Sequence, residues 1–377
     1  MKNRFSGLII WLIVAVLLLC SNTSLRREKS KAVADELLKF RQFSYIDKEG
    51  TGLEVFHFLM PVDWQFEGGI NWILDNPTMP ATVPFRIYNT KGKDEFEAFA
   101  NHCYFWTTSL QLLTMFPPGT KYFGSKVKLP VNAQTALRKI ILPEEREHYQ
   151  NFKIISESDL PELAQALGAG KQAQGFGSSK ATGAKIRFSY VKNGTEMEEE
   201  IYAVVEKITF PVQSMNGTFF NTIWFVDYIF SFKGEKGKLE TQTKIFQTIT
   251  SSFRLNPKWY AKYSNLIEYM AQQQIRQIHS VGEFSSMLSR VSDQMRTEQL
   301  QQFENRGNVY DKVSEKFSDN TLGIERYYDP YEERQVELPG GYNHAWCNNS
   351  GEYIVTDNPN YNPNVGSNLN WKELERK

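Results

Sequence analysis

The sequence predicts an α+β protein: an antiparallel sheet with flanking helices, then a long amphipathic helix and a small C-terminal β-hairpin module. Runs rich in β-branched and aromatic residues, such as 197–210 and 219–232, are typical of strands. Asn193-Gly194, just before the first of these runs, indicates a hairpin turn because both residues tolerate positive φ. From Trp259 to Phe303 apolar residues recur at helical spacing. With 377 residues and 41% hydrophobic content, the chain can bury one or two cores.

The N-terminal residues 1–24 have the layout of a secretory signal or a short membrane anchor. Lys2 and Arg4 precede an apolar run from Leu8 to Leu19, and Cys20 follows it. The run is shorter than the roughly 20 residues that span a bilayer comfortably. Three outcomes stay open: a lipoprotein lipidated on Cys20, an uncleaved anchor, or free secretion. Leu19 counts against the lipoprotein, in which a small residue normally precedes the cysteine.

Two signals disagree about which side of the membrane the domains face. Four basic residues follow the apolar run, Arg26, Arg27, Lys29 and Lys31, and outnumber the two before it. The positive-inside rule alone would therefore keep the chain cytoplasmic. The signal-like layout and the many Tyr, Trp and Asn residues favour export. We expect a cell-membrane protein whose domains face the extracytoplasmic side.

The domains follow from breaks in pattern along the chain. Charged residues with helically spaced Val33, Leu37 and Phe40 predict a membrane-proximal helix. A Gly-rich stretch predicts a flexible loop, and Asn256-Pro257 predicts a boundary. The predicted units are residues 1–24 (signal or anchor), 25–45 (membrane-proximal helix), 46–256 (α+β domain with a flexible loop at 168–183), 257–320 (long amphipathic helical segment) and 321–377 (β-hairpin module).

Within the α+β domain the sequence predicts helices at 95–102, 132–141 and 159–167, and a closing helix through Ile245. The acidic run from Glu196 to Glu200 is interpreted as a solvated strand edge. The long helix has a near-heptad apolar spacing that would permit self-association.

Two stretches resemble the PsbP-like fold of extracytoplasmic accessory proteins. They are the strand running into a Pro-x-x-Trp turn, Phe58-Leu59-Met60-Pro61-Val62-Asp63-Trp64, and the helix IFQTITSSFR from Ile245 to Arg254. The resemblance covers roughly residues 40–256 and implies an antiparallel sheet flanked by helices, without catalysis. The tail, with Leu338 to Tyr342 and Gly351 to Tyr353, is similar to tails of uncharacterised exported bacterial proteins.

Several functional classes lack support in the sequence. Lys+Arg 43 balances Asp+Glu 43, so there is no basic excess that would favour a nucleic acid. The sequence contains no H-E-x-x-H, no G-x-S-x-G and no complete phosphate-binding glycine motif. We therefore expect no cofactor and no nucleic-acid partner.

The remaining candidates for chemistry are two pairs of His and Cys residues. His102-Cys103 and His344-Ala345-Trp346-Cys347 could together form a tetrahedral zinc site. Alternatively, Cys103 and Cys347 could form a disulfide if the domains are exported, or could simply be buried as small apolar residues. If His102 and Cys103 share a strand, their side chains point to opposite faces, which disfavours a catalytic dyad.

The function predicted from these features is a membrane-tethered extracytoplasmic protein that binds or scaffolds without catalysis. Its partners would be the membrane, through the N-terminal segment, and a protein or cell-wall component. The alternative is an extracytoplasmic hydrolase that acts on cell-wall material through the His and Cys residues, which would require them to cluster in space.

Overall fold

Among the residues that the structure describes, 51% lie in strands, most of them antiparallel, and 18% lie in helices. The structure, a computed structural model, describes residues 37–73, 76–166, 178–215, 217–272 and 324–376. Within these ranges the strands are β1 Leu38–Ile46, β2 Glu54–Pro61, β3 Trp64–Gly68, β4 Asn71–Trp72, β5 Ala81–Thr82, β6 Phe85–Asn89, β7 Glu95–Ala98, β8 His102–Thr107, β9 Lys121–Tyr122, β10 Ser125–Val127, β11 Gln150–Asp159, β12 Ser178–Lys192, β13 Thr195–Ser214, β14 Gly217–Glu235, β15 Arg254–Leu255, β16 Ile324–Asp329, β17 Arg334–Pro339, β18 His344–Asn348, β19 Glu352–Thr356 and β20 Trp371–Glu373.

The helices of the described ranges are short. They are α1 Leu110–Met115, α2 Ala133–Ala136, a π-helical turn Leu137–Ile141, α3 Leu142–Glu145, α4 Pro161–Ala166, a 3₁₀ turn Leu239–Gln242, α5 Thr243–Ser252 and α6 Pro257–Gln272. None of the helices in these ranges is long and apolar enough to cross a bilayer.

The larger sheet is built on three long strands. β12, β13 and β14 pair side by side, and β11 lies beside β12. β14 changes partner along its length: Phe230 to Lys233 pair with β7, and Asn221 to Val226 pair with β8. β6 and β3 continue the sheet from β7, while β10 and β9 continue it from β8. The pairing of β8 with β10 is parallel.

The smaller sheet joins sequence-distant parts of the chain. Its strand order is β15-β2-β1-β19-β18-β20, so β1 lies between β2 and a strand of the C-terminal region. Phe40 is fully buried there, in a cluster with Leu59 and Tyr353. The described residues from Leu38 onward belong to one compact unit.

Two aromatic-rich cores stabilise the rest of the fold. The α2-to-α3 helical stretch covers one face of the long strands with Leu137, Ile140 and Ile141. A second core packs strand side chains, including Phe56 and Phe85, against Phe246 of α5. Burying such rings contributes about 1.5–3 kcal/mol each in hydrophobic free energy.

The α+β prediction is wrong, because the described residues are mostly β and their helices are short. Residues 38–45, expected to end a helix, form β1, in which pairing to β2 and β19 outweighs the local helical spacing. Residues 95–98 form β7 instead of a helix. The described helix beginning at Pro257 ends at Gln272, and the rest of the predicted long helix lies outside the described residues.

Other expectations were met, or fall partly outside the described ranges. The Asn193-Gly194 hairpin is confirmed, with φ of 50° and 76°. The helices predicted near 132–141, 159–167 and Ile245 are confirmed within one or two turns. Residues 178–183 of the predicted flexible loop form the start of β12. Residues 1–36, with Cys20, and residues 168–177 lie outside the described part. The domain boundaries stay a prediction.

Candidate interaction surface

His102 and Cys103 occupy opposite faces of β8. The His102 Nδ1 atom lies 3.3 Å from the Tyr104 hydroxyl, and burial lowers the pKa of His102. The Cys103 thiol lies 3.3 Å from the Ser125 hydroxyl, and burial raises its pKa to about 12. A thiol with such a pKa stays protonated and is a poor nucleophile near neutral pH.

His344 and Cys347 lie on β18, in the other sheet. The His344 Nδ1 atom is 2.8 Å from a carboxylate oxygen of Glu373. The Cys347 thiol is fully buried, 3.7 Å from Asp329, and burial raises its pKa to about 12. The two His-Cys pairs therefore lie in different sheets, and each of the four side chains contacts a different neighbouring residue.

The described residues do not assemble the predicted zinc site. Within them no group of three or more His, Cys, Asp or Glu side chains is arranged to hold a metal ion. Cys103 and Cys347 are both free thiols in this structure. The predicted disulfide is therefore not formed here.

A buried ionic network lies where β13 and β14 approach α3. Arg146 Nε is 3.0 Å from Glu199, and Arg146 also pairs with Glu97. Lys233 Nζ lies 2.7 Å from Glu95, and the Tyr190 hydroxyl donates to Glu199 at 2.8 Å. Burial alone would raise the pKa of Glu199, but the cations outweigh it and hold that pKa below its usual range. The charged groups of the network pair with one another in the interior, which is typical of buried ion pairs that favour one packing arrangement.

A polar cleft between β2, α5 and β17 is too small for an organic ligand. It encloses about 20 Å³ and is lined in part by Gln42, His57 and Arg334. That volume holds a water molecule. His57 pairs with Glu54 at 2.7 Å and Arg334 pairs with Gln42, so the lining groups already have protein partners.

Exposed apolar side chains gather at the end of the larger sheet where β8 stops. Phe220 of β14 exchanges hydrogen bonds of 2.9 Å with Thr108, directly after β8. Leu110 of α1 follows two residues later and is 80% exposed, and α1 buries none of its residues. We call this end the tip surface; its exposed apolar members are Leu110, Met115, Leu129, Met215 and Phe220.

A row of lysines crosses the same end of the sheet. In the strand register Lys180 lies opposite Lys207, and Lys207 lies opposite Trp224. The row continues through Tyr104 to Lys126. Residues directly opposite each other in antiparallel strands project from the same face, so Lys180, Lys207 and the buried Trp224 follow one another on one face.

Four lysines of the tip surface lack an ion pair among the described residues. Lys126, Lys128, Lys180 and Lys207 have no carboxylate partner among the described residues. Burial, followed by the nearby Lys180 ammonium, lowers the pKa of Lys207. The sequence has no Asp or Glu between Glu97 and Glu144, or between Glu206 and Asp227, so the segments that form this end are free of acids.

Sequence reasoning missed the tip surface because the net charge of the chain is zero. A scan for local acid-free segments would have found 98–143 and 207–226. What such a scan could not supply is the register that aligns Lys180, Lys207 and Lys126, which are far apart in the chain.

Comparisons with known proteins leave the family of this chain open. No family model matches the sequence, and no curated protein matches it. Among solved structures, the chain is similar to LpqN, a protein involved in cell envelope biogenesis of Mycobacterium tuberculosis. The TM-score is 0.21 and the identity 11%, over 58% of this chain and 92% of LpqN. So low a TM-score does not establish a shared fold, and the PsbP-like resemblance stays a hypothesis.

Proposed function

We propose that this chain is an extracytoplasmic binding or scaffolding protein, tethered to the cell membrane by its N-terminal segment, and that it engages its partner through the tip surface. One observation carries the proposal: exposed apolar side chains and four lysines that have no carboxylate partner among the described residues lie at the same end of the larger sheet, in a chain with zero net charge. Solvent-facing apolar side chains grouped with unneutralised charge are typical of surfaces that meet a partner.

The hydrolase alternative gains no support from the geometry. His102 and Cys103 point to opposite faces of one strand, and burial raises the pKa of both described cysteines to about 12. A cysteine hydrolase instead needs a thiolate beside a base.

Site-specific photo-crosslinking in the native cells tests the proposal. A photoreactive amino acid replaces Leu129 in the full chain, and the crosslinked envelope component is classified as lipid, wall polymer or protein. We expect a crosslinked product that the double variant L110S/F220S reduces by about tenfold, the equivalent of roughly 1.4 kcal/mol.

The matched control is Val365→Ser, which removes an apolar side chain that is equally exposed, on the C-terminal loop. It should leave the product unchanged. A crosslinking yield from position 129 that neither variant alters would show that the tip surface is not where the partner binds.

A further inference from the structure

The chemistry of the tip surface distinguishes between kinds of partner. A soluble polyanion would pair with the lysines alone and would leave Leu110 and Phe220 exposed to water. An apolar groove of a protein would bind the apolar side chains of α1 and would leave the lysines without a negatively charged partner. An anionic bilayer offers both an acyl interior and phosphate groups within one surface.

From this combination we infer that the tip surface docks onto a bilayer that contains anionic lipid, with Leu110 and Phe220 entering the interface and the lysines meeting lipid phosphates. The inference rests on the proposed function and names the partner of the same surface.

The distance between the apolar side chains and the lysines is compatible with docking onto a bilayer. Lys128 is close to the end of β8, since its N–H donates to the carbonyl of Phe105 at 3.0 Å. The row with Lys126 crosses β8 at Tyr104, three residues before the strand ends at Thr107. Three residues of a strand span about 10 Å. Interfacial elements bury their apolar side chains about 5–10 Å into the headgroup boundary, which brings lysines at this distance to the phosphates.

The electrostatics also favour an anionic surface. Lys180 and Lys207 lie opposite each other in the sheet, and each repels the other's positive charge. A surface phosphate near both ammonium groups would relieve this repulsion. Lysines near an anionic leaflet each contribute a favourable free energy that falls off within a Debye length, so the contact must weaken in salt.

Fluorescence in reconstituted vesicles tests the inference on the full chain with its own N-terminal segment. An environment-sensitive fluorescent amino acid replaces Leu110, or Val365 as the reference position. The vesicles contain either phosphatidylcholine alone or phosphatidylcholine with phosphatidylglycerol. Because the N-terminal segment is the same in every sample, the signal reports whether the tip surface itself touches lipid.

We expect a blue shift and loss of iodide quenching at position 110 in phosphatidylglycerol vesicles only, and neither change at position 365. The shift should disappear at about 0.5 M salt, where screening acts within a few ångström. K180Q/K207Q should reduce it severalfold. K91Q/K93Q removes the same charge from the exposed turn between β6 and β7 and should not.

Two results would overturn the inference. One is an unchanged spectrum at position 110 in both kinds of vesicle; the other is an equal shift in both that salt leaves intact. If position 129 still crosslinks a protein or wall polymer in cells, the proposed function stands and only the lipid assignment fails. If neither the crosslinking nor the fluorescence detects a contact, the proposed function and the lipid assignment are both wrong.

Discussion

At the scale of single residues, buried carboxylates of this protein differ in whether a cation lies beside them. The acidic run of β13 was expected to be a solvated edge, yet β13 is a central strand and Glu199 is fully buried beside Arg146. The sequence could not show this, because burial of Glu199 depends on two cations, Arg146 directly after α3 and Lys233 of β14. Asp227 is the opposite case: its carboxylate has no hydrogen-bond partner among the described residues, and Tyr228 beside it has a φ of 51° at an irregularity of β14.

Glu199→Gln should destabilise the protein by about 3 kcal/mol, because it leaves Arg146 and Lys233 with an incomplete set of carboxylates. The pKa of Glu199 is held low in the folded state. Its stabilising contribution is therefore present above the ordinary glutamate pKa and is lost as the pH falls through the lower folded pKa. Urea unfolding measures the effect. Glu196→Gln, at an exposed position of the same strand, should change stability by less than about 0.5 kcal/mol.

Asp227→Asn should stabilise the protein at pH 8. Burial, and then the nearby Glu206, raise the pKa of Asp227 to about 7. The folded state therefore holds this proton more tightly than the unfolded state, and stability falls as the pH rises from about 4 to 7. Since the residue keeps some contact with solvent, we expect a gain of about 1–2 kcal/mol at pH 8 that shrinks below pH 5. Equal gains at both pH values would mean that ionisation of Asp227 is not the cause.

At the scale of elements, local signals succeeded where a turn or cap decides the structure. Asn193-Gly194 formed its hairpin, and Asn132 caps α2 by accepting from the N–H of Thr135. Local signals failed where pairing partners are distant. Residues 95–98 were predicted to begin a helix. They instead form β7, which pairs with β14 and places Phe96 in the aromatic core. Tertiary context commonly overrides propensity in this way.

Gly194→Val should destabilise the β12–β13 hairpin, because Gly194 has a φ of 76° that a β-branched residue rarely adopts. We expect a loss of about 1–2 kcal/mol in thermal or urea unfolding. Asn193→Gly, which keeps the positive φ accessible, is the control and should cost little. A tolerated valine would contradict the importance of this turn.

At the scale of the whole molecule, the C-terminal hairpins complete a sheet that the N-terminal strands begin. The tail was predicted as a separate module because its turns and aromatic residues are locally sufficient for hairpins. The structure pairs Phe40 of β1 with Tyr353 of β19. No property of either segment alone indicates this pairing, since it is set by complementary buried faces far apart in the chain.

A chain that ends before residue 324 should therefore fail to fold stably. Removing β18 and β19 leaves one edge of β1 unpaired and uncovers Phe40 and Leu59. We expect the truncated protein to aggregate or to unfold without a cooperative transition, and the full chain to unfold residues 38–272 and 324–376 together in calorimetry. A truncated chain that melts cooperatively would instead support the predicted independent module.

The pairing of β1 with β19 also sets the order of events in biosynthesis. β1 emerges early and must wait for β19, which is synthesised near the end of the described chain, before the smaller sheet can close. Such a non-local pairing forms slowly and leaves the strand exposed in the meantime. If synthesis stops before β19 is made, β1 keeps one open edge, and cellular proteases can recognise a product that exposes such an edge.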